Sequence, residues 1–148
     1  MRGQQKQFTS GAKSNSHLVQ RARAAMSRAL ANSSRFKVGV ALLAKNKRVY
    51  QGCNIETITS NLGICAERVA LFKALSEGER EFRAMAIVAS SGQVCTPCGV
   101  CRQLLWEFAP GLKIIMMDRH GRILVREIHD LLPLPFDRSA LRKSTPKP

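Results

Sequence analysis

Aromatic residues are scarce in this sequence: six Phe, one Trp and one Tyr among 148 residues. That scarcity argues against an extended nucleic-acid platform, where successive bases stack on side-chain rings along a basic groove. No run of 18 apolar residues occurs, so nothing reads as a membrane-spanning helix. The first residues lack the apolar central stretch of a secretory signal. Acid is missing from residues 1–55, which carry eleven Lys or Arg; Glu56 is the first carboxylate. The five cysteines are an odd number, which suits a reduced compartment with metal-bound and free thiols better than a disulfide framework. The expectation is a cytoplasmic chain.

What is present suffices for one domain. Apolar residues make up 45% of the chain, enough for a core. Of the net charge of +14, +11 falls within residues 1–55. Three readings of that asymmetry stand: a solvated basic tail with ordinary surface Lys and Arg, a polyanion-binding face, or an acid-free organellar transit segment. The last is weakened because the sequence after residue 17 reads as part of a fold.

Residues 1–15, mostly Gln, Lys, Ser and Gly, are expected to form a disordered basic tail. In residues 16–31, Leu18, Val19, Ala22, Ala25, Met26, Ala29 and Leu30 recur at helical spacing and predict an amphipathic helix. Strands are predicted over 36–44, 48–54, 83–89, 112–117 and 122–126, the first two as a hairpin. Helices are predicted over 65–75 and 98–108, with a short one over 127–132, and residues 137–148 form a basic tail. A hairpin followed by two strand–helix alternations implies an α/β fold with a central mixed sheet covered by helices. It also brings the starts of the 65–75 and 98–108 helices to one edge of the sheet. The catalytic domain is placed at residues 16–136.

The chemistry concentrates in two short stretches, Cys65-Ala66-Glu67-Arg68 and Pro97-Cys98-Gly99-Val100-Cys101. A Cys two residues before a Glu, followed later by Pro-Cys-x-x-Cys, is the signature of zinc deaminases. Cys98 and Cys101, three apart in a first helical turn, direct their sulfurs the same way, and a helix N-terminus favours thiolate. Cys65 supplies a third ligand. Three protein ligands leave a fourth position open, the mark of a catalytic site. A structural four-cysteine site completed by Cys95 is the alternative, and it leaves Glu67 and Pro97 unexplained. Glu67 is the proton carrier. Three thiolates and Zn²⁺ sum to −1, so a neighbouring cation is needed to keep a bound water acidic. Arg68 is the candidate and Arg102 the reserve.

Residues from about 16 to 136 resemble the small zinc-dependent cytidine deaminases of pyrimidine salvage. The shared stretches are Phe36-Lys37-Val38-Gly39, Gly52-Cys53-Asn54-Ile55-Glu56, Gly63-Ile64-Cys65-Ala66-Glu67-Arg68, Ser76-Glu77-Gly78, Pro97-Cys98-Gly99-Val100-Cys101-Arg102-Gln103 and Leu131-Leu132-Pro133. The resemblance implies a three-layer α/β/α sandwich with a five-stranded mixed sheet and one zinc per subunit. It implies that Asn54 and Glu56 hold the ribose hydroxyls, that Phe36 lines the pyrimidine pocket, and that the backbone around Ala66 contacts the base. It further implies a homotetramer with shared sites, in which Phe136 reaches a neighbouring subunit's site. One departure stands out. The family's Asn-x-Glu-Asn-Ala-Ser-Tyr is replaced by Asn54-Ile55-Glu56-Thr57-Ile58-Thr59-Ser60.

The function expected from the resemblance is hydrolytic deamination of cytidine and deoxycytidine to the uridines, zinc hydroxide attacking C4 and Glu67 shuttling protons. The altered 57–60 loop motivates an alternative, a modified cytidine or nucleoside antibiotic as substrate. The basic first third motivates a lesser one, C-to-U editing of a polynucleotide. A non-catalytic zinc protein would leave Glu67 without a role.

Overall fold

A computed structural model describes residues 13–141. The expected tails therefore lie largely outside the described residues. In chain order the elements are α1 (Lys13–Met26), β1 (Val38–Ala44), β2 (Val49–Cys53), α2 (Ala66–Ser76), β3 (Phe82–Ala89), α3 (Gly99–Phe108), β4 (Lys113–Met117), β5 (Ile123–Glu127) and α4 (Ile128–Leu131). Short 3-10 turns occupy Ser60–Leu62 and Arg138–Leu141.

The five strands form one sheet in the order β2-β1-β3-β4-β5. β1 pairs antiparallel with both β2 and β3, β3 runs parallel to β4, and β4 pairs antiparallel with β5. The mixed sheet expected from the element order is thus present. The central strands are near-continuous apolar runs because both faces are covered. On one face Val40, Leu42, Met85, Ile87, Ile114 and Met116 pack with Ala70, Leu71 and Ala74 of α2, Leu105 of α3 and Ile128 of α4. On the other face Ala41, Ala86, Val88, Ile115 and Met117 pack under Leu18, Val19 and Ala22 of α1. The period of two along each strand divides these sets between the faces, which yields the three layers.

Gly39 lets α1 approach closely. A Cβ there would stand 2.1 Å from the Ala22 carbonyl oxygen and 2.3 Å from the Met26 nitrogen.

The first helix differs from its apolar stripe at both ends. It begins at Lys13, three residues early, and stops at Met26 although Ala29 and Leu30 continue the pattern. The stop has a backbone cause. The Leu30 N–H donates to the Asn54 carbonyl at 3.0 Å, and the Leu30 carbonyl accepts the Glu56 N–H at 2.7 Å. Leu30 is therefore a bridge partner of Ile55. Pairing with the loop after β2 replaces another helical turn.

Candidate active site

β2 and β3 both run antiparallel to β1, so their C-terminal ends lie at the same edge of the sheet. The loop from β2 to α2 and the loop from β3 to α3 both open there, the usual place for a site in such a sheet. Ile55 and Ile64 exchange backbone hydrogen bonds of 3.0 and 2.9 Å, which folds the first loop back on itself. Cys65 and Cys98 then take up extended backbone conformations as the N-cap residues of α2 and α3. Two helix N-termini, each with a partial positive charge, thus converge on two thiols.

The Cys65, Cys98 and Cys101 sulfurs all lie within 4.8 Å of one another, and the Cys65 and Cys98 sulfurs are 3.9 Å apart. Tetrahedral zinc with sulfurs at about 2.3 Å requires sulfur–sulfur distances of about 3.8 Å. The donor set and its spacing fit that ion. Cys95 does not join the cluster: among the described residues the group holds only three members. Cys95 instead contacts the Thr96 carbonyl at 3.7 Å, and burial pushes its thiol up to about 11.

Burial pushes the Cys65 thiol up, opposed by its contact with Arg68. It pushes the Cys101 thiol up as well. Cys98 behaves differently. Burial opposes its ionisation, but hydrogen bonds from the Cys101 N–H, the Cys101 thiol and the Cys65 thiol outweigh it and hold Cys98 below the ordinary range. Of the three thiols Cys98 is thus the one that gives up its proton most readily, and a bound cation would draw all three toward thiolate.

Arg68 reaches this cluster. Its Nη2 donates toward Cys65 Sγ at 3.8 Å and the Gly63 carbonyl at 3.4 Å. Arg102 does not. Its Nε donates to the Pro97 carbonyl at 2.7 Å, Nη1 to the Leu131 carbonyl at 3.1 Å and Nη2 to Thr96 Oγ1 at 3.1 Å. Of the two arginines the sequence offered, Arg68 stands by the thiols, and Arg102 braces the segment that presents Cys98.

A cavity of about 210 Å³ opens beside the thiols, lined by Phe36, Val38, Asn54, Cys65, Ala66, Glu67, Cys95, Thr96 and Cys98. Glu67 is only 5% exposed. Burial pushes its carboxyl up, against a backbone hydrogen bond and the nearby Arg68 charge. A carboxyl that takes up a proton more readily than a surface Glu is suited to acid–base work near neutrality.

Phe36, at 38% exposure, forms one wall, and Asn54 lies on another. Glu56 is not among the residues lining the cavity; its carboxylate is held by Ser33 and Ser34. Phe136 is elsewhere. It is 62% exposed and borders a separate groove with Trp106, Glu107, Arg138 and Leu141. Gln103 fixes it there by bonding both its N–H and its carbonyl, at 2.9 and 2.8 Å. Val38, Cys95 and Thr96 are lining residues that the sequence reading did not place in the pocket. Their adjacency to Phe36 and to Pro97-Cys98 was the available signal.

Comparison with known proteins adds to this geometry. A family model, the cytidine and deoxycytidylate deaminase zinc-binding region, matches residues 12–117. A cytidine deaminase of Sporosarcina psychrophila is 39% identical over 125 residues, covering 84% of this chain and 92% of its own. That of Halalkalibacterium halodurans is 45% identical over 104 residues, covering 70% and 79%. Among solved structures, the cytidine deaminase of Burkholderia pseudomallei superposes with a TM-score of 0.80 at 41% identity, covering 82% of this chain and 98% of its own.

Proposed function

The chain belongs to the cytidine and deoxycytidylate deaminase family, and from that premise we propose how its residues act. It is a zinc-dependent hydrolase that converts cytidine to uridine: water adds at C4, the C4–N4 bond breaks and ammonia leaves. One observation carries the reading. A nearly fully buried carboxyl, Glu67, shares a small cavity with two of three clustered thiols.

Cys65, Cys98 and Cys101 would hold a zinc ion, which when bound would supply a Lewis acid that draws the pKa of water toward 7. The chain does the rest. Glu67 takes a proton from the attacking water and delivers it to ring nitrogen N3, then takes the remaining proton from the hydroxyl added at C4 and gives it to the departing amine as the C4 carbonyl forms. Arg68 offsets the surplus negative charge of three thiolates around one divalent ion. The Phe36 ring and the backbone at Ala66 hold the pyrimidine. Asn54 retains one free amide N–H, because its other amide N–H is engaged by the Phe36 carbonyl and its oxygen by the Val38 N–H. That N–H donates to one sugar hydroxyl, and the Glu56 carboxylate accepts from another.

A homotetramer in which Phe136 enters a neighbour's site is part of this proposal. Its support is that Phe136 faces outward, together with the exposed Ile58, Leu62 and Leu134. Five free thiols favour a reducing cytoplasm and a role in pyrimidine salvage.

The test is loss of cytidine absorbance on adding zinc-loaded protein, beside the Glu67→Ala variant. Fast loss that requires Glu67 is expected; absence of loss in folded, zinc-replete protein overturns the reading. A second reading, toward a modified cytidine, is favoured by the replaced 57–60 loop, where Ile58 is 105% exposed. A substrate panel decides it: larger analogues turned over far faster than cytidine would promote it.

A further inference from the structure

The sugar-side and ring-side residues of this site are tied together by one short loop. Between α1 and β1 the backbone N–H groups of Ser33 and Ser34 donate to Glu56 Oε2 at 2.9 and 3.1 Å. The Ser34 hydroxyl donates to Glu56 Oε1. The same hydroxyl oxygen accepts the Phe36 N–H at 3.0 Å. From the other side, Asn54 Nδ2 donates to the Phe36 carbonyl at 2.8 Å, and Asn54 Oδ1 accepts the Val38 N–H at 2.8 Å. Both backbone polar groups of Phe36 are therefore clamped, one through Ser34 to Glu56 and one directly to Asn54.

The residue between Ser34 and Phe36 carries the strain of this arrangement. Arg35 has φ 57°, in the left-handed region that a residue with a Cβ enters only when its surroundings hold it there. A carboxylate offers about four lone-pair positions, and the loop fills three on Glu56. One remains, on Oε1, beside the Ser34 hydroxyl. Three donors also keep Glu56 charged, with its carboxyl held below the usual range.

We propose that Ser34 is a positioning residue for the nucleoside: its hydroxyl fixes the distance between the sugar acceptor Glu56 and the ring wall Phe36. The inference rests on the reading of Glu56 and Phe36 as nucleoside contacts. It assigns Ser34 no contact with the reacting atoms. Losing the hydroxyl leaves the zinc thiols and Glu67 untouched; Glu56 Oε2 stays on the two backbone N–H groups, but Oε1 loses its donor and its link to Phe36.

The experiment compares Ser34→Ala, Ser34→Thr, Glu56→Gln and the Ser34→Ala/Glu56→Gln double variant, each zinc-loaded and full length. For cytidine, Ser34→Ala is expected to raise KM about tenfold while kcat changes little, the loss of one hydrogen bond to a charged group. Ser34→Thr keeps a hydroxyl and is expected to recover most of that loss. In the double variant, the Ser34 change is expected to cost much less than it does alone, because the two residues act as a unit. Carbon NMR of the Glu56 carboxyl provides a readout independent of turnover, and its titration is expected to move up in Ser34→Ala. An unchanged KM in folded, active Ser34→Ala, strictly additive effects in the double variant, or an unmoved Glu56 titration each overturns the role of Ser34. A wild-type chain that leaves cytidine intact overturns the functional reading itself, and the Ser34 proposal with it.

Discussion

Gly52 in β2 and Ala66 at the start of α2 are in backbone contact: a Cβ on Gly52 would stand 2.3 Å from the Ala66 carbonyl oxygen and 2.6 Å from the Ala70 nitrogen. No real Cβ tolerates such distances to backbone, so any other residue at position 52 must push α2 off the sheet. α2 carries Glu67 in its first turn and is capped by Cys65. The absent side chain at 52 thus sets the depth of the site.

Gly52→Ala is expected to destabilise the fold by about 1–3 kcal/mol, the usual cost of overpacking. It is also expected to lower both zinc content and kcat/KM, because α2 moves and α3 stays. Urea unfolding and metal analysis on the same preparation check this. Lower stability with zinc content and turnover intact would show that α2 can shift without disturbing the site.

Glu67→Gln keeps shape and removes the titratable carboxyl. Turnover of cytidine is expected to fall by at least about 10²–10⁴, the range for a lost general acid–base group. Zinc content should match the wild type, since Glu67 is not a member of the three-thiol cluster. Loss of zinc along with activity would instead make Glu67 a ligand.

Arg68→Ala removes the cation beside Cys65. Activity is expected to fall, and zinc to remain partly bound and dissociate more readily. Arg102→Ala makes a contrast, because that side chain bonds Pro97, Thr96 and Leu131 rather than a thiol. Its expected effect is on stability and on the presentation of Cys98. Unchanged turnover with full zinc content in Arg68→Ala would remove Arg68 from the proposed charge balance. Chelator-driven zinc release followed over time separates the two variants.

These contrasts mark where sequence reading reached and where it stopped. Strand and helix order followed from apolar periodicity, which depends on burial, and the five strands pair as a mixed sheet. Cys65, Cys98 and Cys101 were legible because ligand spacing on helix starts is a local property. Residues 27–31, expected as helix, are not helical, because the bridge from Leu30 to Ile55 is a long-range pairing that no local stripe reveals. Arg68 is the expected cation and Arg102 the reserve; Arg102 turns from the thiols because its guanidinium is taken up by the Pro97 and Leu131 carbonyls and Thr96 Oγ1, of which Leu131 lies 29 residues away in the chain. Ser34 carried no signal at all. Its significance lies in partners 2 and 22 residues away that meet at one oxygen.

The turn from β4 to β5 offers a test that is separate from the site. Asp118 is fully buried, yet its Oδ2 accepts Arg122 Nε at 2.6 Å, and its Oδ1 accepts the N–H groups of His120 and Arg122 at 2.8 and 3.0 Å. Burial alone would push this carboxyl up. The Arg122 guanidinium and the two backbone donors outweigh it and hold the carboxyl below its ordinary 3.8. A carboxyl with a depressed folded-state pKa stabilises the fold above its unfolded pKa, and that contribution disappears as pH falls through the folded value. Asp118→Asn is therefore expected to lower the thermal midpoint by a constant amount from neutrality down to about pH 4, with the gap to wild type closing in more acid solution. Paired melting curves from pH 7 to pH 2 measure that gap. A gap as wide at the acid end as at pH 7 would mean that turn geometry, not the ionised carboxylate, stabilises this corner of the sheet.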